Sequence, residues 1–277
     1  LTLQSTDGAD GTAFINYGNG SIGDEITAER VLDGNAGWFM LASPGDAAYS
    51  DLTSGFYVQG IPGSDNPGAL PNLFEYNAST GDFEKPSGIS ATPGIGTGYI
   101  LFTYDASGGG ADFPRTMTAS LSNPPSGNET INGLTNESFN LVGNPYLTNI
   151  EWSKITRTNV KNAAYVYNAQ NNTYSSTNGS TGPIEFIGPF QGFFVEAETG
   201  TSASITIPIE NAQDRGGDRF LSASTPDRAA TLDVNIGDVM TSTHASFRGD
   251  GELGFDISDA YHLQAIPGYD GPVLQMY

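Results

Sequence analysis

Apolar and polar residues alternate along most of this chain with the period of two that is typical of β-strands. The segments 117–121 and 205–209 each place an apolar residue at every second position. Because successive side chains of a strand point to opposite faces, this pattern predicts strands that bury one face. No segment carries an apolar stripe of helical period over three turns. The pattern therefore predicts an all-β protein, with a single helical turn at residues 149–155.

Other stretches add to the predicted strands. The segment 98–104 is almost continuously apolar, which indicates a strand buried on both faces. Shorter runs bounded by Gly, Pro, Asn and Asp predict the remaining strands. These predicted strands are 1–3, 12–15, 26–32, 38–41, 56–59, 72–76, 139–142, 165–167, 193–197, 232–236 and 244–247.

Three blocks of sequence occur twice in the same order, which is typical of a duplicated unit with loop insertions. Within the first block Trp38 matches Phe139 and Met40 matches Leu141, at an offset of 101 residues. The second block, 74–78, matches 165–169 at an offset of 91, and the third, 96–100, matches 190–194 at an offset of 94. A frame that recurs with altered polar residues indicates a structural role for the shared pattern.

These observations predict an all-β fold of β-sandwich type, jelly-roll or immunoglobulin-like, built from a duplicated unit with additional strands at both ends. We assign residues 1–36 to N-terminal strands and a linker from an upstream passenger. Residues 37–135 and 136–210 form the first and second sandwich repeats, and 211–277 form a C-terminal β region.

The chain is strongly acidic, with a formal net charge of −21. Nucleic acids and anionic membranes would be repelled, so neither is an expected partner. The acidity fits a solvated surface, adaptation to high salt or binding of divalent cations. The sequence contains no cysteine, which excludes disulfides and thiol-based sites. No apolar run approaches the ~20 residues of a membrane span, so we expect no membrane insertion.

An acidic stretch near the C-terminal end is the candidate metal site. It supplies the carboxylates of Asp250, Glu252, Asp256 and Asp259. Calcium favours clustered carboxylate and carbonyl oxygens, although the spacing does not match an EF-hand loop. The same aspartates would equally suit turn caps. Calcium is therefore the one candidate cofactor, and Asp7 with Asp10 is a weaker second candidate site.

The sequence indicates no catalytic centre. The two histidines, His244 and His262, lie apart without an associated metalloprotease or nucleophile motif. The Asn144-Pro145-Tyr146 turn is explained by its turn chemistry. The tripeptide 248–250, Arg-Gly-Asp, matches an integrin-binding motif at a level close to chance.

Aromatic residues offer a second kind of candidate site. Tyr49, Tyr57, Trp38 and Trp152 would stack on sugars if they were exposed together. The duplicated positions of Trp38 and Phe139 argue instead for roles in the core.

Five motifs in this order carry a resemblance to a known family: GWFMLASP, FYVQGIPGSDNPG, FNLVGNPYLTNIEW, PFQGFFV and GFDISDAYHL. Together they resemble the C-terminal module of large secreted proteins that the Bacteroidetes type IX secretion system exports. The resemblance implies a non-catalytic β-sandwich near the end of an adhesin or surface protein. The first copy departs from the family pattern, because Ser43-Pro44-Gly45 stands where the second copy has Asn-Pro-Tyr.

We therefore expect a secreted, non-enzymatic structural or adhesive module of the bacterial cell surface, and in its most specific form an extracellular fibre subunit. Its partners would be further copies of itself, other surface proteins or glycans. A terminal strand such as 1–4 would pair with the open sheet edge of a neighbouring subunit. The alternative is a carbohydrate-binding module attached to a larger secreted enzyme. A hydrolase with a carboxylate pair is a third hypothesis.

Overall fold

The computed structural model describes residues 2–5, 25–32, 34–108, 110–169, 173–180, 184, 186–200, 202–211, 228–236 and 239–247. The strands are β1 (Thr2–Leu3), β2 (Glu25–Leu32), β3 (Gly37–Ala42), β4 (Leu73–Asn77), β5 (Asp82–Glu84), β6 (Gly98–Thr103), β7 (Arg115–Ser122), β8 (Glu129–Leu134), β9 (Phe139–Gly143), β10 (Thr156–Thr158), β11 (Val160–Asn168), β12 (Thr173–Thr177), β13 (Gly192–Ala197), β14 (Ala203–Ile207), β15 (Arg228–Ile236) and β16 (Val239–Phe247). Helical turns are α1 (Tyr49–Leu52) and the 3₁₀ turns Ala106–Gly108, Trp152–Lys154 and Ile209–Asn211.

Four sheets are stacked in layers. The two inner sheets have four strands each, in the orders β3-β6-β4-β5 and β9-β13-β11-β12. The outer sheet β1-β2-β7 covers the first inner sheet, and the outer sheet β10-β14-β8 covers the second. A first core and a second core lie under the outer sheets, and a central core lies between the two inner sheets. Strands β15 and β16 pair as a separate antiparallel hairpin. The predicted all-β sandwich is confirmed.

The inner strands bury both faces. In β6, Tyr99 and Leu101 belong to the first core, whereas Ile100 points into the central core. In β13, Phe193 belongs to the second core and Phe194 to the central core. A strand buried on both faces carries apolar residues at successive positions. This position between two cores explains the successive apolar residues 99–101 within the almost continuous run at 98–104, as predicted.

The two inner sheets share their strand order and their register. Met40 pairs with Ile100 in the first half, and Leu141 pairs with Phe194 in the second. At the outer end of the same sheets, Tyr76 pairs with Phe83, and Tyr167 pairs with Tyr174. Each pair in the second half lies at the position that the sequence offsets of 101, 94 and 91 assign to it. Descent of the halves from one duplicated unit stays a hypothesis, which this correspondence supports.

Contacts across the centre are reciprocal. The Ala42 N–H donates a 2.8 Å hydrogen bond to the Phe190 carbonyl, and the Gly143 N–H donates a 2.8 Å bond to the Gly96 carbonyl. The sequence offsets between the halves convert each of these two hydrogen bonds into the other. They likewise convert the bridge Leu41–Gln191 into the bridge Thr97–Val142. Reciprocity of this kind is the mark of an isologous contact. The two halves are therefore related by an approximate two-fold axis.

The halves have other limits than the sequence predicted. Strand β2, which we assigned to the linker 1–36, pairs with β7 along its whole length. Strand β8, which we assigned to the first repeat 37–135, pairs with β14 of the second half. Strand pairing thus groups β2 with the first half and β8 with the second.

Two local predictions have different outcomes. The predicted strand 56–59 is wrong, because this segment is a loop that contributes a single bridge from Gln59 to Asn66. The predicted turn at 149–155 is confirmed as Trp152–Lys154. Within the part of the chain that the structure describes, no helix is long and apolar enough to cross a membrane. The predicted strand 12–15 lies outside the described residues.

Candidate functional site

The Asn144-Pro145-Tyr146 turn is an internal structural element. Asn144 is fully buried, and its Nδ2 lies 2.7 Å from the Thr148 carbonyl, 3.0 Å from that of Ile187 and 2.9 Å from that of Gly188. Its Oδ1 accepts a 2.9 Å hydrogen bond from the Tyr146 N–H. The side chain thereby ties the turn 144–148 to residues 187–188, and the turn presents no group to a ligand.

Tyr146 and Trp152 complete this anchor. The Tyr146 hydroxyl lies 2.8 Å from the Ile207 carbonyl and accepts a 3.1 Å bond from the Glu129 N–H, so it joins β14 to β8. Trp152 is 1% exposed, and its Nε1 donates to the Asn162 side chain at 3.1 Å. Both belong to the second core.

The calcium candidates Asp250, Glu252, Asp256 and Asp259 lie outside the described residues, as do Asp7, Asp10, His262 and the 248–250 tripeptide. Among the residues that are described, no group of three or more His, Asp or Glu side chains is placed to hold a metal ion.

An open acidic cleft lies between α1 and the ends of β2 and β7. Its volume is about 370 Å³, and Glu25, Asp46 and Asp51 line it together with the hydroxyl residues Ser120 and Ser122. Asp46 is engaged by its neighbours, since its carboxylate accepts a 2.9 Å bond from Asn123 and its backbone pairs with Ser122. The cleft therefore has acidic walls but no assembled site.

Two of the four aromatic candidates are removed by burial. Tyr49 and Trp152 are 0% and 1% exposed. The Tyr49 hydroxyl donates a 2.8 Å bond to Glu75, and burial, reinforced by the Glu75 charge, raises the pKa of Tyr49 well above its usual value. Neither ring is available to a sugar.

The other two candidates belong to a continuous row of rings, which we call the aromatic strip: Trp38, Phe102, Tyr104 and Tyr57. Consecutive ring centroids along it are 5.3, 5.0 and 6.0 Å apart, and each pair meets edge to face. All four side chains are partly exposed. The strip begins at the margin of the central core, where Trp38 packs, and continues along β6 beyond that core.

Three polar side chains hold the strip in place. The Gln59 amide donates a 2.9 Å bond to the Tyr104 hydroxyl, and the Gln59 N–H is itself bound by the Asn72 side chain at 2.8 Å. Arg115 donates a 3.1 Å bond to the Tyr104 carbonyl. Burial and the neighbouring Tyr57 raise the pKa of the Tyr104 hydroxyl, partly offset by the Gln59 bond. The Tyr104 ring is thus fixed at both its backbone and its hydroxyl.

The second half has a different surface at the same place. By the offset of 94, Glu196 and Glu198 occupy the positions of Phe102 and Tyr104. Glu196 forms a 2.7 Å ion pair with Lys161, and Glu198 is exposed. The shared frame therefore does not require aromatic residues here.

Among the described basic residues, two arginines are buried and two lysines are paired with glutamates, whereas Lys85 is exposed. Arg30 and Arg115 are 2% and 9% exposed, and Arg115 also stacks 4.3 Å over the Phe56 ring. Lys154 and Lys161 pair with glutamates at 2.8 and 2.7 Å. With the formal charge of −21, this arrangement disfavours anionic ligands.

Sequence reasoning named Trp38 and Tyr57 but missed Phe102 and Tyr104. The signal was available, because 102 and 104 are aromatic in one copy and glutamate in the other. Comparison of the chain with protein-family models, with curated proteins and with solved structures returns no match.

Proposed function

We propose that this protein is a secreted, non-catalytic module of the bacterial cell surface with a structural and adhesive role, and that copies of it assemble by exchanging strand β1. The secreted setting is inferred from the family resemblance of its motifs. The proposal for assembly is carried by one observation, which is the way β1 is added to the edge of the first outer sheet.

Strand β1 is a parallel addition to an antiparallel pair. Thr2 pairs with Thr27 and Leu3 with Ala28, both in parallel, whereas β2 and β7 are antiparallel. Leu3 is 8% exposed and fills a place in the first core. The outer edge of β2 is thus completed by a separate short segment with one apolar anchor.

Side chains supplement this short ladder. The Val31 N–H donates a 3.0 Å bond to the Ser5 hydroxyl, and the Ser5 N–H donates a 3.3 Å bond to the Glu29 carboxylate. The same segment of a neighbouring copy would make the same bonds, so exchange loses no native contact. This equivalence is what makes strand exchange an economical route to assembly.

Cysteine pairing tests the exchange directly, since the chain has no cysteine of its own. We would prepare Thr2→Cys and Thr27→Cys as separate variants, mix them after partial unfolding, oxidise them and analyse the products by non-reducing electrophoresis and mass spectrometry. Exchange predicts disulfide-linked Thr2→Cys/Thr27→Cys dimers. As the control, Thr158→Cys mixed with Thr2→Cys should give none, because Thr158 lies in an exposed strand of the other half.

Two results would overturn the proposal. One is a disulfide that forms within the double-cysteine chain but never between the single variants. The other is unchanged assembly or cell attachment after deletion of residues 1–12. Regular filaments of the native protein in electron micrographs, absent from the deletion variant, are the expected outcome.

A further inference from the structure

We propose that the aromatic strip is a binding site for a neutral glycan. This inference specifies the adhesive part of the proposed function and does not depend on strand exchange. The strip consists of Trp38, Phe102, Tyr104 and Tyr57, as defined above.

The geometry suits a carbohydrate chain. The rings follow one another at 5.0 to 6.0 Å, a spacing comparable to the length of one sugar ring. The apolar C–H face of a sugar stacks on an aromatic ring, while its hydroxyls need polar groups beside that ring. Tyr57 and Tyr104 bring phenolic hydroxyls at one end of the strip. The strip therefore offers both kinds of contact.

The shared frame does not require aromatic residues at positions 102 and 104. Glu196 and Glu198 occupy the equivalent positions of the second half, in strands with the same order and register. Aromatic side chains that remain partly exposed at positions where the same frame carries carboxylates are explained by an external contact. The difference between the halves is thus the main argument for a ligand.

The site is also fixed before any ligand arrives. Gln59 holds the Tyr104 hydroxyl at 2.9 Å, and Asn72, which is 1% exposed, holds Gln59. Arg115 binds the Tyr104 carbonyl. A ring that is already immobilised loses little conformational entropy on binding, so a shallow surface can still retain a ligand.

The charge of the protein selects among glycans. The formal charge is −21, and no lysine or arginine takes part in the strip itself. An acidic polysaccharide would be repelled, whereas a neutral one would not. We therefore expect neutral polysaccharides to bind and anionic ones to be excluded.

The experiment uses the whole chain with cellulose, xylan, mannan and starch as neutral probes and alginate as the anionic probe, in pull-down assays and affinity electrophoresis. The wild-type protein is expected to bind at least one neutral probe and not alginate. The variants Phe102→Glu and Tyr104→Glu place the second half's residues in the first half. Each should weaken binding by about tenfold or more.

Controls separate binding from folding. Glu198→Ala, the matched change at the Tyr104 position of the other half, should leave binding unchanged. Urea unfolding must show that Phe102→Glu and Tyr104→Glu are folded. Tryptophan fluorescence gives an independent readout, since the chain has two tryptophans and Trp152 is 1% exposed. A neutral glycan should therefore change the emission of the wild type but not that of Trp38→Phe.

Three results would overturn the inference: no neutral probe bound by the wild type, binding unaffected by both glutamate variants, or tight binding of alginate. A variant lacking residues 1–12 distinguishes the two proposals. Retained glycan binding with lost assembly supports both, whereas retained assembly without any glycan binding by the wild type refutes the glycan site alone.

Discussion

Ala42 and Gly143 meet where the two halves of the molecule touch. A Cβ atom built on Gly143 would lie 2.0 Å from the Cβ of Ala42, and its next contact, at 3.3 Å, would be the Cα of Ala42. The two residues are related by the offset of 101 that relates the halves themselves. They therefore lie close to the approximate two-fold axis, where one side chain has room and two do not.

Substitution at this pair should be strongly coupled. Gly143→Ala is expected to lower the free energy of unfolding by about 3 kcal/mol or more, because two methyl groups cannot occupy one space. The double variant Gly143→Ala with Ala42→Gly restores a single methyl group and should recover most of that loss. Urea unfolding of the wild type, both single variants and the double variant gives the coupling energy. Additive effects would show that the two residues do not share this space.

Gly98 and Gly192 should be sensitive to the same degree as each other. A Cβ on Gly98 would lie 2.7 Å from the Val142 carbonyl oxygen, and one on Gly192 would lie 2.7 Å from that of Leu41. Each alanine variant should cost about 2 kcal/mol of stability, since backbone atoms cannot move aside easily. Gly127→Ala is the control, as a Cβ there meets nothing within 4 Å. A thermal or urea midpoint that falls for Gly127 as well would refute a specific close approach.

Removal of the hydroxyl should change the free energy of unfolding differently at two neighbouring tyrosines. Tyr49 and Tyr99 are both buried and their rings are 5.2 Å apart, but Tyr49 donates to Glu75 while the Tyr99 hydroxyl has no hydrogen bond. Tyr49→Phe should cost about 1–2 kcal/mol, because it removes a bond to a charged acceptor. Tyr99→Phe should be neutral or stabilising by up to about 1 kcal/mol, because it removes a buried polar group without a partner. Equal losses in urea unfolding would contradict the assignment.

Replacement of the buried Asn144 should lower the free energy of unfolding far more than replacement of an exposed asparagine. Asn144→Ala leaves the carbonyls of Thr148, Ile187 and Gly188 without this donor inside the protein, with an expected loss of about 3 kcal/mol. Asn132→Ala is the control, because Asn132 is exposed and bonds to a backbone carbonyl two residues away, and we expect a change within about 0.5 kcal/mol. Denaturant unfolding measures both.

Stability should fall at alkaline pH. Burial raises the pKa of Tyr167 from its usual 10.0 to about 12, and it raises the pKa of Tyr49, Tyr99 and Tyr174 further. The folded state holds these protons more tightly than the unfolded state, so their contribution is complete below pH 10.0 and is lost as the pH rises from 10.0 towards 12. Urea midpoints at about pH 9 and about pH 11 should show this loss. Tyrosinate absorbance that rises fully near the ordinary pKa while the protein stays folded would contradict it.

The sequence predicted the fold correctly wherever a local pattern is compatible with only one kind of structure. Alternation at 117–121 predicted β7, and the almost unbroken apolar run at 98–104 predicted a strand buried on both faces. Matched offsets predicted which residues take equivalent positions in the two inner sheets. Strands β2 and β8 were not assigned to their halves, because their partners β7 and β14 are distant in sequence and the two strands differ in residues and length. Non-local pairing of this kind leaves little local signal.

Only two of the four residues of the aromatic strip were identified from the sequence, for a related reason. The segment 56–59 is a short run of β-forming residues typical of a strand, but Gln59 bonds to the side chain of Asn72 and not to a neighbouring strand. The side chain of the buried Asn72 bonds to the backbone of Tyr57, Gln59 and Phe102. Such a residue gives no periodic signal in the sequence, because its role depends on the loop that it closes. The aromatic strip therefore became apparent only from the structure, which places Tyr57 beside Tyr104.

The approximate two-fold axis has a consequence for how this surface can vary. A homodimer displays every residue twice, so any mutation alters both of its faces at once. Here the two matched faces are encoded by separate stretches of one chain, and each can change while the other keeps the original residue. The matched positions already differ in this way: one half has Phe102 and Tyr104 where the other has Glu196 and Glu198. The molecule retains the packing of a symmetric pair and yet can specialise one side.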